Sequence, residues 1–149
     1  MKQEISSWDQ ALRLLSRREH SILELRRKMA GRGYIESDID PLIERLLDAD
    51  WINEERFTES FVRLRTRTGK GPYRIKRELA ERGIDAELIE VALAPYEESW
   101  NSIATEVRGR KFGDELPVEY KEEARQKRFL QYRGFTHEQI RAAFTKIAI

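Results

Sequence analysis

The sequence predicts an all-α protein, an elongated array of three tandem three-helix repeats. Three observations carry this reading. A nine-residue helix ending recurs as Arg26–Tyr34, Lys76–Ile84 and Lys127–Phe135. Downstream of each copy, apolar residues return in steps of four and three. Four prolines and eight glycines among 149 residues are too few for the many turns of a β protein.

The ending has a mechanical logic. Two basic residues are followed by a spacer, Leu or Met, two more spacers, Arg, Gly and a large apolar residue. Gly33, Gly83 and Gly134 suit the left-handed position just past a helix, where a side chain is penalised. Met29, Leu79 and Leu130 lie one turn back, and Tyr34, Ile84 and Phe135 lie just beyond. These two places make the apolar contact of a Schellman ending. Arg32, Arg82 and Arg133 fall in the last turn, where a cation meets the negative end of the helix dipole.

The glycines are 50 and 51 residues apart, so the repeat is close to fifty residues long. Six, ten and thirteen residues past them come Ile39, Ile43 and Leu46; Ile89, Leu93 and Tyr96; and Ile140, Phe144 and Ile147. Those offsets describe one face of a following helix. Self-similarity at this period indicates stacked units, each too small to bury its own apolar face. The repeats are expected at 1–52, 53–96 and 97–149.

The first repeat opens with a helix from about Ser7 to Ser16, with Trp8, Leu12 and Leu15 on one face. Ser21-Ile-Leu-Glu24 is a capping box for a second helix ending at Gly33. Ser37 or Asp38 is expected to cap a third, whose stripe is Ile39, Leu42, Ile43, Leu46 and Leu47. Trp51 is expected to plug the junction with the next unit.

The second repeat starts at Asn53 as N-cap, with Glu54 and Glu55 in the first turn. Phe57, Phe61 and Leu64 are its expected buried stripe. The helix stops at Thr68-Gly69-Lys70-Gly71-Pro72, and Pro72 suits the first position of the next helix. Ile75 and Leu79 are core there. Asp85 caps a third helix with Leu88, Ile89, Ala92 and Leu93 inside.

In the third repeat a helix from about Glu97 to Arg110 buries Trp100, Ile103 and Val107. Lys111–Pro117 breaks it. A second helix runs from near Pro117 to Arg133, and Thr136-His-Glu-Gln139 caps a last helix to about Ala148. The total is nine helices and no strand.

Composition narrows the function. With no cysteine there are no disulfides, thiolate metal sites or cysteine nucleophiles, and a reducing compartment fits. The N-terminus lacks a signal-peptide core, and no apolar run approaches the ~20 residues that span a bilayer. A cytoplasmic protein without membrane contact is expected. His20 and His137, the only histidines, each lie at a helix start among polar residues and are expected at the surface. Neither pairs at metal-ligand spacing, and nearly all the carboxylates are accounted for by helix first turns and i,i+4 pairs. No catalytic, cofactor or metal residue is expected, and the protein is read as no enzyme. Gly69-Lys70-Gly71-Pro72 is not a phosphate loop, lacking the Gly-x-x-x-x-Gly-Lys-Ser/Thr spacing, although a turn there has room to touch one phosphate.

Charge carries the functional signal. Net charge is only +1, but residues 56–83 hold 9 basic and 3 acidic side chains, whereas both flanks are net negative. Arg63, Arg65, Arg67, Lys70, Arg74, Lys76 and Arg77 fall within fifteen residues, offset nearby only by Glu78 and Glu81. Such a cluster suits either DNA phosphate, with strongly salt-dependent binding, or an acidic protein surface. The paired basics Arg26-Arg27, Lys76-Arg77 and Lys127-Arg128 either line one side of the array or simply repeat by duplication.

Ser16-Arg-Arg-Glu-His-Ser21 with Glu24-Leu-Arg-Arg-Lys-Met29 resembles the first repeat of the RecX family of bacterial recombination regulators. The run Trp51-Ile-Asn-Glu-Glu-Arg-Phe57 through Gly69-Lys-Gly-Pro72 and Arg74-Ile-Lys-Arg-Glu-Leu79 to Gly83-Ile84 resembles the second. Lys127-Arg-Phe-Leu-Gln-Tyr-Arg-Gly-Phe135 completes the similarity, which spans essentially the whole chain. Asn53 departs from the family's usual Asp, a near-equivalent cap. The resemblance implies a modulator of the RecA recombinase that lies in the groove of the RecA–DNA filament; a monomer without a cofactor is expected. It implies reduced filament growth, strand exchange, ATP hydrolysis and co-protease activity, and hence a damped SOS response. DNA would be met through phosphates, weakly and without sequence preference. The alternative from the residues alone is an independent DNA-binding protein of helix-turn-helix type.

Overall fold

A computed structural model describes residues 5–145, so Ile147, the stretch to Ala148 and the first four residues lie outside the described residues. Among the described residues there are nine α-helices, one short 3-10 turn at Ala94–Tyr96 and no strand. Helices α1 (Ser7–Leu15), α2 (Ile22–Gly31) and α3 (Glu36–Asp48) form the first repeat. Helices α4 (Glu54–Arg67), α5 (Pro72–Glu81) and α6 (Ala86–Leu93) form the second. Helices α7 (Trp100–Phe112), α8 (Tyr120–Arg133) and α9 (His137–Ala143) form the third. The accessible surface of 10276 Å² exceeds the roughly 8,000 Å² of a compact monomer of 17.7 kDa, as an extended array requires.

The three glycine endings are Schellman turns. Tyr34, Ile84 and Phe135 donate their N–H groups to the carbonyls of Met29, Leu79 and Leu130 at 3.2, 3.1 and 3.2 Å. Gly33, Gly83 and Gly134 have φ of 94, 80 and 101°. Met29, Leu79 and Leu130 are completely buried, each worth about 1.5–3 kcal/mol of apolar transfer. The capping boxes at Ser21–Glu24 and Thr136–Gln139 are both formed. Asn53 accepts from the Arg56 N–H at 3.0 Å.

Two more endings of this kind carry weaker sequence signals. Gly69, at φ 83°, ends α4 with Lys70 N–H donating to Arg65 O at 2.9 Å. Asp50, at φ 60°, ends α3 with Trp51 N–H donating to Leu46 O at 2.8 Å. This second turn corrects the reading of Trp51. The turn leaves Trp51 44% exposed, and Ile52, at 1%, fills the core beside α3 instead.

Other expectations need smaller corrections. α3 begins at Glu36 with Ile35 as an uncapped N-cap residue, so Ser37 and Asp38 sit inside its first turn. In α4, Thr58 and Val62 face inward, and Leu64 is exposed because the α5 and α6 contacts lie on the other flank. Asp85 occupies its N-cap position without a side-chain bond. In α1 the buried residues are Ala11 and Leu14, with Trp8, Leu12 and Leu15 packed around them. In α7 the buried Arg108 takes a core position; its Nε donates to Ala143 O at 2.9 Å, tying α7 to α9.

The repeats are joined in two different ways. Repeats two and three share one apolar core, in which Ile75, Leu79 and Ile84 meet Val107, Leu130 and Phe135. Backbone joins them too: Gly71 N–H donates to Arg133 O at 2.8 Å, and Tyr73 N–H to Gly134 O at 3.0 Å. The first repeat keeps a separate core. It meets repeat two through Leu23, packed on the Gly83 turn, and through polar contacts: Ile22 N–H to Glu54 Oε2 at 3.1 Å, Arg56 with Glu19 at 2.5 Å, and Arg82 with Glu24 at 3.5 Å. Burial pushes the Glu54 carboxyl above its ordinary value there, against the hydrogen bond from Ile22.

His20 is buried, not solvated. Its Nδ1 lies 3.0 Å from Arg18 O and its Nε2 lies 2.9 Å from Lys28 Nζ. Since an ammonium only donates, Nε2 must accept and Nδ1 must carry the proton. Burial lowers the His20 pKa, and the nearby Arg18 and Lys28 charges add to this. The unfolded chain therefore takes up a proton near pH 6.5 that the folded chain refuses. Stability is expected to be full above about pH 6.5 and to fall as the pH drops through that value towards the lower folded-state one. Urea midpoints between pH 7.5 and 5 check this, and His20→Gln should flatten the decline.

Candidate functional site

The joint between repeats two and three gathers positive side chains from both. The glycine-flanked turn between α4 and α5 carries Lys70. Helix α4 presents Arg65 from one side and helix α5 presents Arg74 from the other. Arg65 Nε lies 2.6 Å from one Glu78 oxygen, and Arg74 Nε lies 3.0 Å from the second. Burial opposes ionisation of Glu78, but the two guanidiniums outweigh it and hold the carboxyl below its ordinary value. Helix α8 ends in the same place, and Arg133 Nη1 donates to Thr68 O at 3.0 Å. Arg74 lies 5.4 Å from the ring centre of Tyr132, which is 75% exposed.

Arg65 and Arg74 thus share one carboxylate, and Lys70 and Arg133 stand beside them without one. Lys70 registers the surplus: burial first, then the charges of Arg133, Arg74 and Arg65, lower its pKa. An anion arriving here would relieve like-charge repulsion, and an exposed tyrosine beside an arginine offers a face for stacking.

The remaining predicted residues are dispersed. Residues two apart point to roughly opposite sides of a helix. Arg63 and Arg67 accordingly lie exposed on α4 away from Arg65, with Arg63 lining a groove that also holds Glu55, Glu59 and residues of α6. Arg63 reaches only Ser60 Oγ at 3.4 Å. Lys76 sits on the other flank of α5 from Arg74, in a groove that also holds Glu90, Glu97 and Glu98. Arg77 lies 3.9 Å from Glu81, an exposed pair of small energetic weight.

One member of each basic pair is ion-paired, but not at the same register position in every repeat. Arg26 pairs with Asp40, Arg77 with Glu81 and Lys127 with Glu123. Arg27 and Arg128 are exposed and make no ion pair among the described residues.

Arg133 and Tyr132 were not singled out by the sequence, where Arg133 reads as a helix-dipole partner. The contact to Thr68 joins residues 65 positions apart, which no local pattern announces. Among the described residues no group of three or more His, Asp and Glu is arranged to hold a metal ion. No helix among them is long and apolar enough to cross a membrane.

Comparison with known proteins agrees with the architecture. Family models described as the first, second and third three-helix domains of RecX match residues 8–46, 53–93 and 97–144. The chain is 45% identical over 135 residues to the regulatory protein RecX of Halorhodospira halophila, covering 91% of this chain and 84% of that one. It is 38% identical over 160 residues to the regulatory protein RecX of Serratia proteamaculans, covering 93% and 95%. A crystal structure of RecX from Lactobacillus salivarius superposes with a TM-score of 0.71 at 28% identity, covering 92% of this chain and 91% of that one. A second crystal structure, of a regulatory protein RecX, shares the fold at a TM-score of 0.78 and 22% identity, covering 91% and 69%. With three domains matched in chain order and relatives alike over nearly their full length, this chain belongs to the RecX family.

Proposed function

We propose that this protein binds the filament that RecA forms on DNA and limits its growth, lowering strand exchange, ATP hydrolysis and co-protease activity. The observation that supports this reading most is the surplus of positive charge at the joint of repeats two and three, where Lys70, Arg74 and Arg133 converge. A filament on DNA offers both phosphate and acidic protein surface, and guanidinium groups suit both. The extended array gives length along which successive filament subunits can be met. Regulation by binding needs no reacting group, and none is used: RecA supplies the ATP hydrolysis, and this chain restrains it as a monomer inside the cell.

The test is direct. Added to RecA on single-stranded DNA, the protein is expected to shorten filaments seen by electron microscopy and to lower ATP hydrolysis in proportion to its concentration. Undiminished filament length at saturating protein would contradict the proposal.

A further inference from the structure

The first repeat contains a second positive site, which no part of the filament reading requires. Arg17, Arg18, Lys28 and Arg32 surround a cavity of about 270 Å³, with Leu14 as an apolar wall and buried His20 at its base. Arg17 follows the end of α1, while Lys28 and Arg32 come from the last turn of α2 and its cap. His20 fixes Lys28 by accepting from its ammonium at 2.9 Å, so this cation is held in place and not free to swing into solvent.

The charges in the cavity are not balanced from within. The carboxylate that acts on Lys28 is Glu24, and it is already engaged. Arg18 holds it with two hydrogen bonds of 3.0 and 3.1 Å, and Arg82 of the second repeat approaches it at 3.5 Å. Arg17, Lys28 and Arg32 make no ion pair among the described residues. The Lys28 ammonium shows the strain. Burial lowers its pKa first; the charges of Arg18, Arg32 and Arg17 add to that, against Glu24.

The repeat register indicates what such a site holds. Lys28 stands five residues before Gly33, and the equivalent residue before Gly83 is Glu78. In the second repeat that carboxylate lies between two arginines and serves as a built-in anion. In the first repeat that position is Lys28, and the carboxylate stands instead at Glu24, the register equivalent of Arg74, where Arg18 and Arg82 already hold it, so Arg17, Lys28 and Arg32 are left without an anion of their own. We infer that Arg17, Lys28 and Arg32 form a pocket for a phosphate group, whether a free phosphate or one in a nucleic-acid backbone. Several N–H donors converging from different elements match the several acceptor oxygens of phosphate.

The full chain tests this by nuclear magnetic resonance, with the His20 ring nitrogens and the Lys28 side chain as reporters. Inorganic phosphate is expected to move both saturably, while sodium chloride at equal ionic strength does not. In the exposed double variant Arg17→Ala/Arg32→Ala the midpoint should rise at least tenfold, with thermal unfolding unchanged. Saturation by a short oligothymidine at lower concentration than by phosphate identifies a nucleic-acid backbone as the source. Response to phosphate alone identifies a free phosphate. If neither ligand moves the reporters, or if the double variant responds as the parent does, the inference is overturned, and these arginines only complement helix dipoles. Filament shortening is measured separately, so either conclusion can fail without the other.

Discussion

Replacing Gly134 with Ala is expected to destabilise the protein by about 3 kcal/mol, and Gly71→Ala by a similar amount. The two glycines are pressed together where the α4–α5 turn meets the end of α8. A Cβ on Gly71 would lie 2.5 Å from the Gly134 carbonyl carbon and 2.6 Å from its oxygen. A Cβ on Gly134 would lie 2.4 Å from Arg74 Cβ and 2.6 Å from its backbone N. The obstructions are mostly backbone, held by the Gly71-to-Arg133 and Tyr73-to-Gly134 hydrogen bonds, and cannot give way as a flexible side chain would. Gly134 adds a second term, because its φ of 101° penalises any side chain. Gly31→Ala is the control: it lies in α2 with nothing within 4 Å of the added carbon and should gain up to about 1 kcal/mol. Urea unfolding of the three variants checks this, and Gly71→Ala unfolding at the parent midpoint would refute the packing argument.

Lys70→Ala combined with Arg133→Gln is expected to lower affinity for single-stranded DNA about tenfold and to flatten its salt dependence. If each side chain neutralises one phosphate, the logarithmic salt slope falls by roughly 0.7 for each, or about 1.4 together. Both contribute charge that no carboxylate of their own cancels, unlike Arg65 and Arg74, which share Glu78. Gln in place of Arg133 keeps a donor for Thr68 O, so the end of α4 stays capped. Fluorescence anisotropy across a salt series measures the slope. Arg63→Ala/Arg67→Ala, exposed on α4 away from Arg65, removes the same formal charge and separates local geometry from net charge.

Legibility followed the range of the interactions. The Schellman endings at Gly33, Gly83 and Gly134 are local in sequence and were visible, since glycine and its apolar neighbours stand at fixed offsets. Capping boxes were visible for the same reason. The turn at Asp50 was not, because an aspartate in left-handed conformation carries no glycine to mark it, and the misplacement of Trp51 followed from that. His20 looked solvated among Arg17, Arg18 and Glu19. Its burial depends on Lys28, a turn and a helix away. The charge surplus of repeat two was legible as composition, but its arrangement was not. Helix geometry splits Arg65 from Arg63 and Arg67, Glu78 neutralises part of the cluster, and Arg133 joins it from a different repeat.

In the proposed function, positive charge at the joint of repeats two and three is what meets the filament. The most direct measurement is RecA filament length on single-stranded DNA, by electron microscopy, with the parent protein, with Lys70→Ala/Arg133→Gln and with Arg63→Ala/Arg67→Ala. The expected result is short filaments with the parent and with the Arg63→Ala/Arg67→Ala variant, and near-normal filaments with the joint variant. Full shortening by the joint variant, at concentrations where the parent is half effective, would contradict the claim.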